Sequence, residues 1–303
     1  MNYQRLIATA TALGCGVTEQ APLSAATTFR VGGPADLLID LPDAAATAQV
    51  LAACRADEIP YLFIGNGSNL VVGDKGFRGA VLRLESRDVQ PTLLEDGCIY
   101  APAGMLLKQL CLFARDHSLT GLELAYGIPG AVGGAVYMNA GAYDGEMAQV
   151  VVSADCVASD GTLLTLSAEE LNMTYRHTNL MERDLIVTGA TLRLQAGDRE
   201  AIWDKMKDLM ARRQEKQPLE YPSAGSFFKR PEGHFAGKLI QDAGLKGFTV
   251  GGAQVSEKHA GFVVNRGGAT AADLVALRDQ VHDKVLAEFG VHLEAEVRFV
   301  GEF

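Results

Sequence analysis

In the run "YPSAGSFFKRP", Ser226 stands between Gly225 and the pair Phe227-Phe228, with Lys229 and Arg230 just beyond. A serine in such company is a packing hydroxyl, a nucleophile or a proton donor. It lacks the GxSxG elbow that exposes a hydrolase serine, which argues against the nucleophile. Arg176, in "TYRHTN", offers a planar, permanently charged donor for a carboxylate, although arginine in a polar loop is most often a surface residue. Near the C-terminus "VHLEAEVRFV" alternates as a strand does: Val291, Leu293, Ala295, Val297 and Phe299 face one side, His292, Glu294, Glu296 and Arg298 the other. Alternation alone leaves Glu294 and Glu296 equal candidates for acid chemistry and a solvated strand face as the plain alternative.

Two glycine-rich loops could hold a phosphate. "YLFIGNGSNLVV" comes after a strand, but a dinucleotide GxGxxG must open a helix, and the chain continues here as the β-branched, Gly-broken "LVVGDKGFRGAVLRL". A Rossmann nicotinamide site is excluded; a nest of backbone N–H groups or a tight turn between strands remains. In "GIPGAVGGAVYMNAGAY", Gly130, Gly133 and Gly134 with Ala131 and Ala135 strip side chains from a helical turn. That suits a pyrophosphate at the helix N-terminus, or close packing of the turn on a sheet. Two such loops in neighbouring blocks predict a cofactor lying between two domains.

The elements that must position these residues can be read from periodicity. Pro42-Asp43 and the adjoining "AAATAQVLAACRADE" predict a capped helix, "YLFIG" a short buried strand, and "MLLKQLCLFARDH" a further helix. Strands are expected at "CIYAPA", "VVVSADCVA" and "DLIVTGATLRLQ". Glu200 to Lys216 reads as an amphipathic helix ended by the prolines of "QPLEYP". Thr270 and Asp273 form a capping box ahead of Leu274, Leu277, Val281, Val285 and Phe289, and Gly290 ends that helix.

At 303 residues the chain implies two or three domains, and 48% hydrophobic with 21% charged residues is ordinary for a soluble globular protein. The start carries no signal-peptide pattern and no apolar run approaches a membrane span, so no membrane insertion and a cytoplasmic location are expected. Net charge of −10 disfavours a general nucleic-acid binder, whereas Trp203 to Glu232 holds seven Lys or Arg against five Asp or Glu, which suits a small anion. Five cysteines without a CxxC pair predict reduced, partly buried thiols, and six histidines without ligand spacing predict no metal.

The order of "TTFRVGGPA", "IGNGSNLVV", "GIPGAVGGAVYMNAGAY", "YRHTNL", "PSAGSFFKRPEGHFAGKLIQDAGLKG", "KHAGFVVN" and "EAEVRFVGEF" resembles the UDP-N-acetylenolpyruvoylglucosamine reductase family from about Thr27 to the C-terminus. The resemblance implies an α+β, three-domain PCMH-type FAD-binding fold with a C-terminal α/β substrate domain. The expected boundaries are 1–86 and 87–199 for two FAD-binding subdomains, 200–290 for the substrate domain, and 291–303 for a strand that returns to an earlier domain. It implies a flavoprotein oxidoreductase of peptidoglycan precursor synthesis with noncovalent FAD, since "VGGPA" lacks the histidine that tethers covalent flavins. NADPH is the implied hydride source and a UDP-sugar the substrate, on a monomer or weak homo-oligomer.

By the same resemblance Ser226 is the proton donor, Arg176 the catalytic arginine and Glu296, with Val-Arg after it, the C-terminal glutamate. Tyr175, Lys216 and Lys229 resemble substrate-binding positions. The flavin is expected against Arg30, Gly32 and Gly33, against Ile64, Gly65, Asn66, Gly67, Ser68 and Asn69, and against Gly127, Pro129, Gly130, Ala131, Val132, Gly133, Gly134 and Asn139. Ile186, Val187 and Gly189 are expected beneath its ring. The absence of an inserted loop between Tyr175 and Trp203 resembles the subgroup without a tyrosine lid. Arg230 stands where some members carry Asn and His259 where one subgroup has Gln, and neither is given a role. Two other readings compete: an oxidase of the same fold that turns over with oxygen, and a nonenzymatic flavin or UDP-sugar binder. Neither has an evident use for Ser226, Arg176 and Glu296 together.

Overall fold

The Asp43 carboxylate accepts a hydrogen bond of 2.7 Å from Ala46 N–H and starts the helix Ala44–Ala56, whose Val50, Leu51 and Cys54 are fully buried. Capping also places the long helix near the C-terminus. Thr270 and Asp273 form the expected box, Gly290 ends Ala271–Phe289 in the left-handed region at φ 67°, and Leu274, Leu277, Val281 and Val285 are fully buried. The Asp74 carboxylate accepts from Ala271 and Ala272 N–H at 2.8 and 2.9 Å, satisfying two more donors of the first turn.

The computed structural model describes residues 2–85 and 89–303, so the boundary expected between 86 and 87 lies outside the described residues. The chain divides into two compact units, each assembled from separated stretches: Met1–Glu19, Leu37–Asn66 and Gly79–Arg212 in one, Gln20–Asp36, Gly67–Arg78 and Arg213–Phe303 in the other. Each unit has its own hydrophobic core.

The first unit is organised by a five-stranded sheet in the order Leu163–Ser167, Val151–Ala158, Leu185–Arg193, Cys98–Pro102, Thr92–Leu93, every pair antiparallel. Ahead of it in the chain, Tyr61–Ile64 runs parallel to Phe77–Leu84, with Tyr61 opposite Ala80. The helices Leu107–Asp116 and Arg199–Lys216 form where periodicity places them. All five cysteines are free and buried, and burial pushes the Cys54 and Cys156 thiols up to about 12, so they behave as small apolar side chains.

The second unit packs Ala271–Phe289 and Ala236–Asp242 with an antiparallel sheet in the order Thr249–Val250, Ala253–Val255, Val263–Asn265. Phe227 is fully buried and meets Phe29 and Phe299 edge-on, each with centroids 6.2 Å apart. The strand expected over "VHLEAEVRFV" is interrupted. Only Arg298–Val300 is strand, parallel to Leu70–Val72, while Ala295 bridges Phe228. The two halves pair with different partners, so no continuous ladder forms across Glu296, yet Leu293 and Val297 are buried as alternation requires. Among the described residues no helix is long and apolar enough to cross a membrane.

Candidate active site

The residues singled out by sequence fall into two groups, one in each unit. In the first unit, Ile64, Gly65, Asn66, Ala131, Gly133 and Gly134 line one cleft, joined by Arg83, Ala103, Gly104 and Leu106. Asn66 Nδ2 donates to the Pro129 carbonyl at 2.7 Å and ties the two glycine loops together. Sequence reasoning missed the Arg83 and Gly104 contributions. Arg83 belongs to a strand and donates to Asp40 at 2.7 Å, and a Cβ at Gly104 would lie 2.2 Å from the Glu85 carbonyl oxygen. Neither contact has a local signal in the sequence.

The glycine turn does only part of what was expected. Helix Val132–Tyr137 has six residues, and its Val132 and Gly133 N–H groups donate to the Met105 and Ala103 carbonyls, each at 2.8 Å. These two donors are therefore not open to a pyrophosphate, which corrects the expectation of a stripped helix N-terminus. A Cβ on buried Gly133 would stand 2.8 Å from that of Ala103, so this glycine serves close packing. Gly134 is the reverse case: exposed, in the cleft wall, with nothing within 4 Å of where a Cβ would be. Gly130 is buried, its carbonyl accepting from Leu107 N–H at 2.9 Å, and Gly127 is half-buried nearby in sequence. The small lining leaves backbone open to a flat or extended group, and the residues present fit part of a dinucleotide such as FAD pressed against the chain.

Asn139 is fully buried with φ 42°; its Nδ2 donates to the Thr174 carbonyl and its Oδ1 accepts from Ala148 N–H, both at 2.9 Å. The amide thus holds the turn that carries Arg176. Thr174 and His177 exchange backbone hydrogen bonds of 2.9 and 3.1 Å, leaving Tyr175 and Arg176 as a two-residue tip. Arg176 has φ 54°, a conformation that costs a non-glycine residue about 1 kcal/mol or more. Its guanidinium reaches the Gly141 carbonyl at 3.3 Å and lies 5.1 Å from the exposed Tyr175 ring. Ile186 and Val187 are buried in Leu185–Arg193. A Cβ at Gly189 in the same strand would collide with the Tyr100 hydroxyl at 2.1 Å, so glycine there is required by Tyr100.

The second group holds Ser226, Lys229 and Glu296. Gly225, at φ 78°, turns the chain into Ser226, whose side chain is exposed and which forms an antiparallel bridge with Phe262. Phe227 N–H donates to the Gly261 carbonyl at 2.8 Å, Glu296 N–H donates to the Phe227 carbonyl at 2.9 Å, and Lys229 N–H donates to the Glu294 carbonyl at 2.8 Å. Ser226 and Glu296 are thus joined through one residue of backbone, and Lys229 pairs with the Glu294 carboxylate. The Glu296 carbonyl accepts from Asn69 Nδ2 at 3.2 Å, and the Asn69 carbonyl from Arg298 N–H at 2.9 Å, so Asn69 fixes both sides of the glutamate.

Several other residues assigned to the flavin by resemblance also lie in this unit. A Cβ on Gly33 would sit 2.2 Å from the Asp74 carbonyl oxygen, one on Gly67 2.1 Å from that of Ala26, and one on Gly32 2.8 Å from the Val72 side chain. Arg30, exposed at φ 55°, and half-buried Ser68 flank these contacts in sequence. Lys216, at the end of Arg199–Lys216, is exposed.

A family model for an FAD binding domain matches residues 35–167, and a model for the C-terminal domain of UDP-N-acetylenolpyruvoylglucosamine reductase matches 217–300. Together with the fold, these define an oxidoreductase built on an FAD-binding domain of α+β, PCMH type and a C-terminal domain after it. UDP-N-acetylenolpyruvoylglucosamine reductase of Clostridium perfringens strain SM101 is 48% identical, covering 94% of this chain and 93% of its own. That of Agathobacter rectalis is 49% identical over 95% of each. The crystal structure of the enzyme from Thermus caldophilus superposes with a TM-score of 0.78 at 37% identity, covering 94% of this chain and 98% of that one. The chain belongs to the UDP-N-acetylenolpyruvoylglucosamine reductase family.

Proposed function

We propose that the chain reduces UDP-N-acetylglucosamine enolpyruvate to UDP-N-acetylmuramate, with NADPH as the electron source and noncovalent FAD as the carrier. The observation that supports the residue assignment is the backbone bond from Glu296 N–H to the Phe227 carbonyl, which links the glutamate to the residue after exposed Ser226. Gly65, Asn66 and Gly134 in the cleft of the first unit would hold part of the cofactor. The chemistry FAD would supply there, when bound and reduced by NADPH, is hydride donation to the terminal alkene carbon.

Each remaining requirement falls to a residue of the chain. As the C–H bond forms, the alkene electron pair moves onto the adjacent carbon and its carboxylate. Arg176, permanently charged, would hold that carboxylate and stabilise the growing charge. Glu296 would hydrogen-bond the enolic acid. Ser226 would give its hydroxyl proton to the carbon and recover one from solvent. A hydroxyl is a weak acid, but it stays protonated at neutral pH and an enolate carbon is a strong base. Lys229, Lys216 and Tyr175 are assigned to the UDP-sugar, with the Lys229 ammonium acting as a point charge on diphosphate once it leaves Glu294. Residues 200–290 would form the substrate domain, in a cytoplasmic monomer or weak homo-oligomer.

The test is a visible spectrum of the purified protein, reduced by NADPH without oxygen and then given the enolpyruvyl sugar. Return of the bleached flavin band with the sugar is the expected result. A band that returns only with oxygen overturns the reading in favour of an oxidase.

A further inference from the structure

His259 is half-buried in the loop between strands Ala253–Val255 and Val263–Asn265, and the proposed reaction gives it no part. The loop is closed on itself: Lys258 and His259 N–H donate to Ser256 Oγ at 3.1 and 3.2 Å, Ser256 N–H donates to the Phe262 carbonyl, and Phe262 N–H to the His259 carbonyl, both at 2.9 Å. The imidazole is held edge to face with Phe262, centroids 5.0 Å apart, and a Cβ on Gly237 or Gly261 would come within 3.4 and 3.0 Å of its Cε1. Glycine at those two positions leaves room for the ring. Its Nδ1 accepts a hydrogen bond of 3.1 Å from Gly261 N–H. An acceptor Nδ1 requires the neutral, Nε2–H tautomer, and burial favours that form by pushing the imidazole pKa below its ordinary value.

From that nitrogen the bonds continue without a gap. Gly261 donates to His259 and, through its carbonyl, accepts from Phe227 N–H at 2.8 Å; the Phe227 carbonyl accepts from Glu296 N–H at 2.9 Å. Ser226 itself bridges Phe262. We infer that His259 is a positioning residue whose Nδ1 fixes the backbone against which Ser226 and Glu296 are both registered. The inference rests on the roles proposed above for those two residues. A loose turn at Gly261 would shift both at once, and a misplacement of about 1 Å at a reacting group can lower a rate by about 10²-fold.

Three variants of the full-length, FAD-loaded chain test this: His259→Ala, His259→Asn and His259→Gln. The Asn carboxamide oxygen reaches the place of Nδ1, whereas the Gln carboxamide reaches the place of Nε2. Amide hydrogen exchange at Gly261, Phe227 and Glu296 is read first, because it does not depend on turnover. Exchange at all three is expected to quicken in the Ala and Gln variants and to stay protected in the Asn variant. Reoxidation of NADPH-reduced flavin by the enolpyruvyl sugar is expected to slow by about 10²-fold in Ala and Gln and to recover in Asn, with reduction by NADPH the same in all. Unchanged protection in the Ala variant overturns the inference. So does recovery by Gln and not Asn, which would assign Nε2 and a direct ligand contact. Should His259→Ala fail to fold, the Asn and Gln variants give the same contrast. Should the sugar fail to reoxidise the wild-type flavin, the proposed function falls, and amide exchange still decides the role of His259.

Discussion

The glycine-rich loops and the serine ribbon are ordered by opposite means. At Gly33 and Gly67 the missing side chain lets backbone press on backbone, with no room for even a methyl group. Around Ser226 the backbone is pinned by regular hydrogen bonds and the side chain is left exposed. A methyl group added in the first region strains the fold, whereas removal of the hydroxyl in the second leaves the backbone bonds in place. Both stretches draw attention in the sequence as sites, yet they owe their residue types to different pressures. Gly134 belongs with the ribbon in this respect: it too faces open space and has no packing reason to be glycine.

Ser226→Ala puts that contrast under the greatest strain. Loss of a positioned general acid lowers a rate by about 10²–10⁴-fold, and reoxidation of the reduced flavin by substrate is expected to fall within that range. Reduction by NADPH and the unfolding midpoint are expected to stay where they are, since exposed substitutions shift stability by about 0.5 kcal/mol or less. Stopped-flow absorbance of the two half-reactions, with thermal unfolding beside it, reads both. Equal reoxidation rates in variant and wild type would remove Ser226 from the mechanism.

Alanine at the two kinds of glycine comes next. In Gly67→Ala the new Cβ meets the Ala26 carbonyl oxygen at 2.1 Å, on a residue at φ 61°. Overpacking and left-handed backbone together are expected to destabilise the protein by about 3 kcal/mol. In Gly134→Ala the Cβ meets nothing, and relief of glycine's flexibility inside a helix is expected to add about 0.5–1 kcal/mol of stability. The same methyl group narrows the cleft, so less FAD should stay bound through gel filtration. Denaturant unfolding of the cofactor-free proteins and the flavin-to-protein absorbance ratio separate the two effects. A stable Gly134→Ala variant that keeps all its flavin would remove that position from the cofactor site.

How far these differences could be read without a structure depends on their range along the chain. Helices were legible because their causes are local: Asp43 and Thr270 bond residues three positions on, and Gly290 ends the helix just before it. Family membership was legible through motif order. The reasons for the glycines were not, because Gly133 answers to Ala103 and Gly67 to Ala26, contacts across the fold that leave no pattern around either residue. The division into two units was hidden for the same reason. Gln20–Asp36 and Gly67–Arg78 belong with the C-terminal stretch, through pairings such as Leu70 with Arg298 that no linear reading supplies. The bond from Asn139 Nδ2 to the Thr174 carbonyl, 35 residues on, likewise has no local signature in the sequence.

The smallest effect concerns His259 and pH, where the ribbon's own stability depends on a proton. Burial disfavours the imidazolium, and the Lys246 charge acts in the same direction, so the folded protein holds this group below its ordinary pKa. The neutral form is the one folding selects. Its contribution is therefore fully present above the ordinary histidine pKa of about 6.5 and is lost as pH falls from there through the depressed folded value. His259→Asn keeps the acceptor for Gly261 N–H and cannot titrate. Urea unfolding at pH 7.5 and at pH 5.5 (~6.5 lies between) should then show a larger loss on acidification for the wild type than for the variant. Carboxylates elsewhere titrate alike in both proteins and cancel from the difference. Equal losses would mean that the Nδ1 bond to Gly261 survives protonation of the ring, which its geometry as an acceptor does not allow.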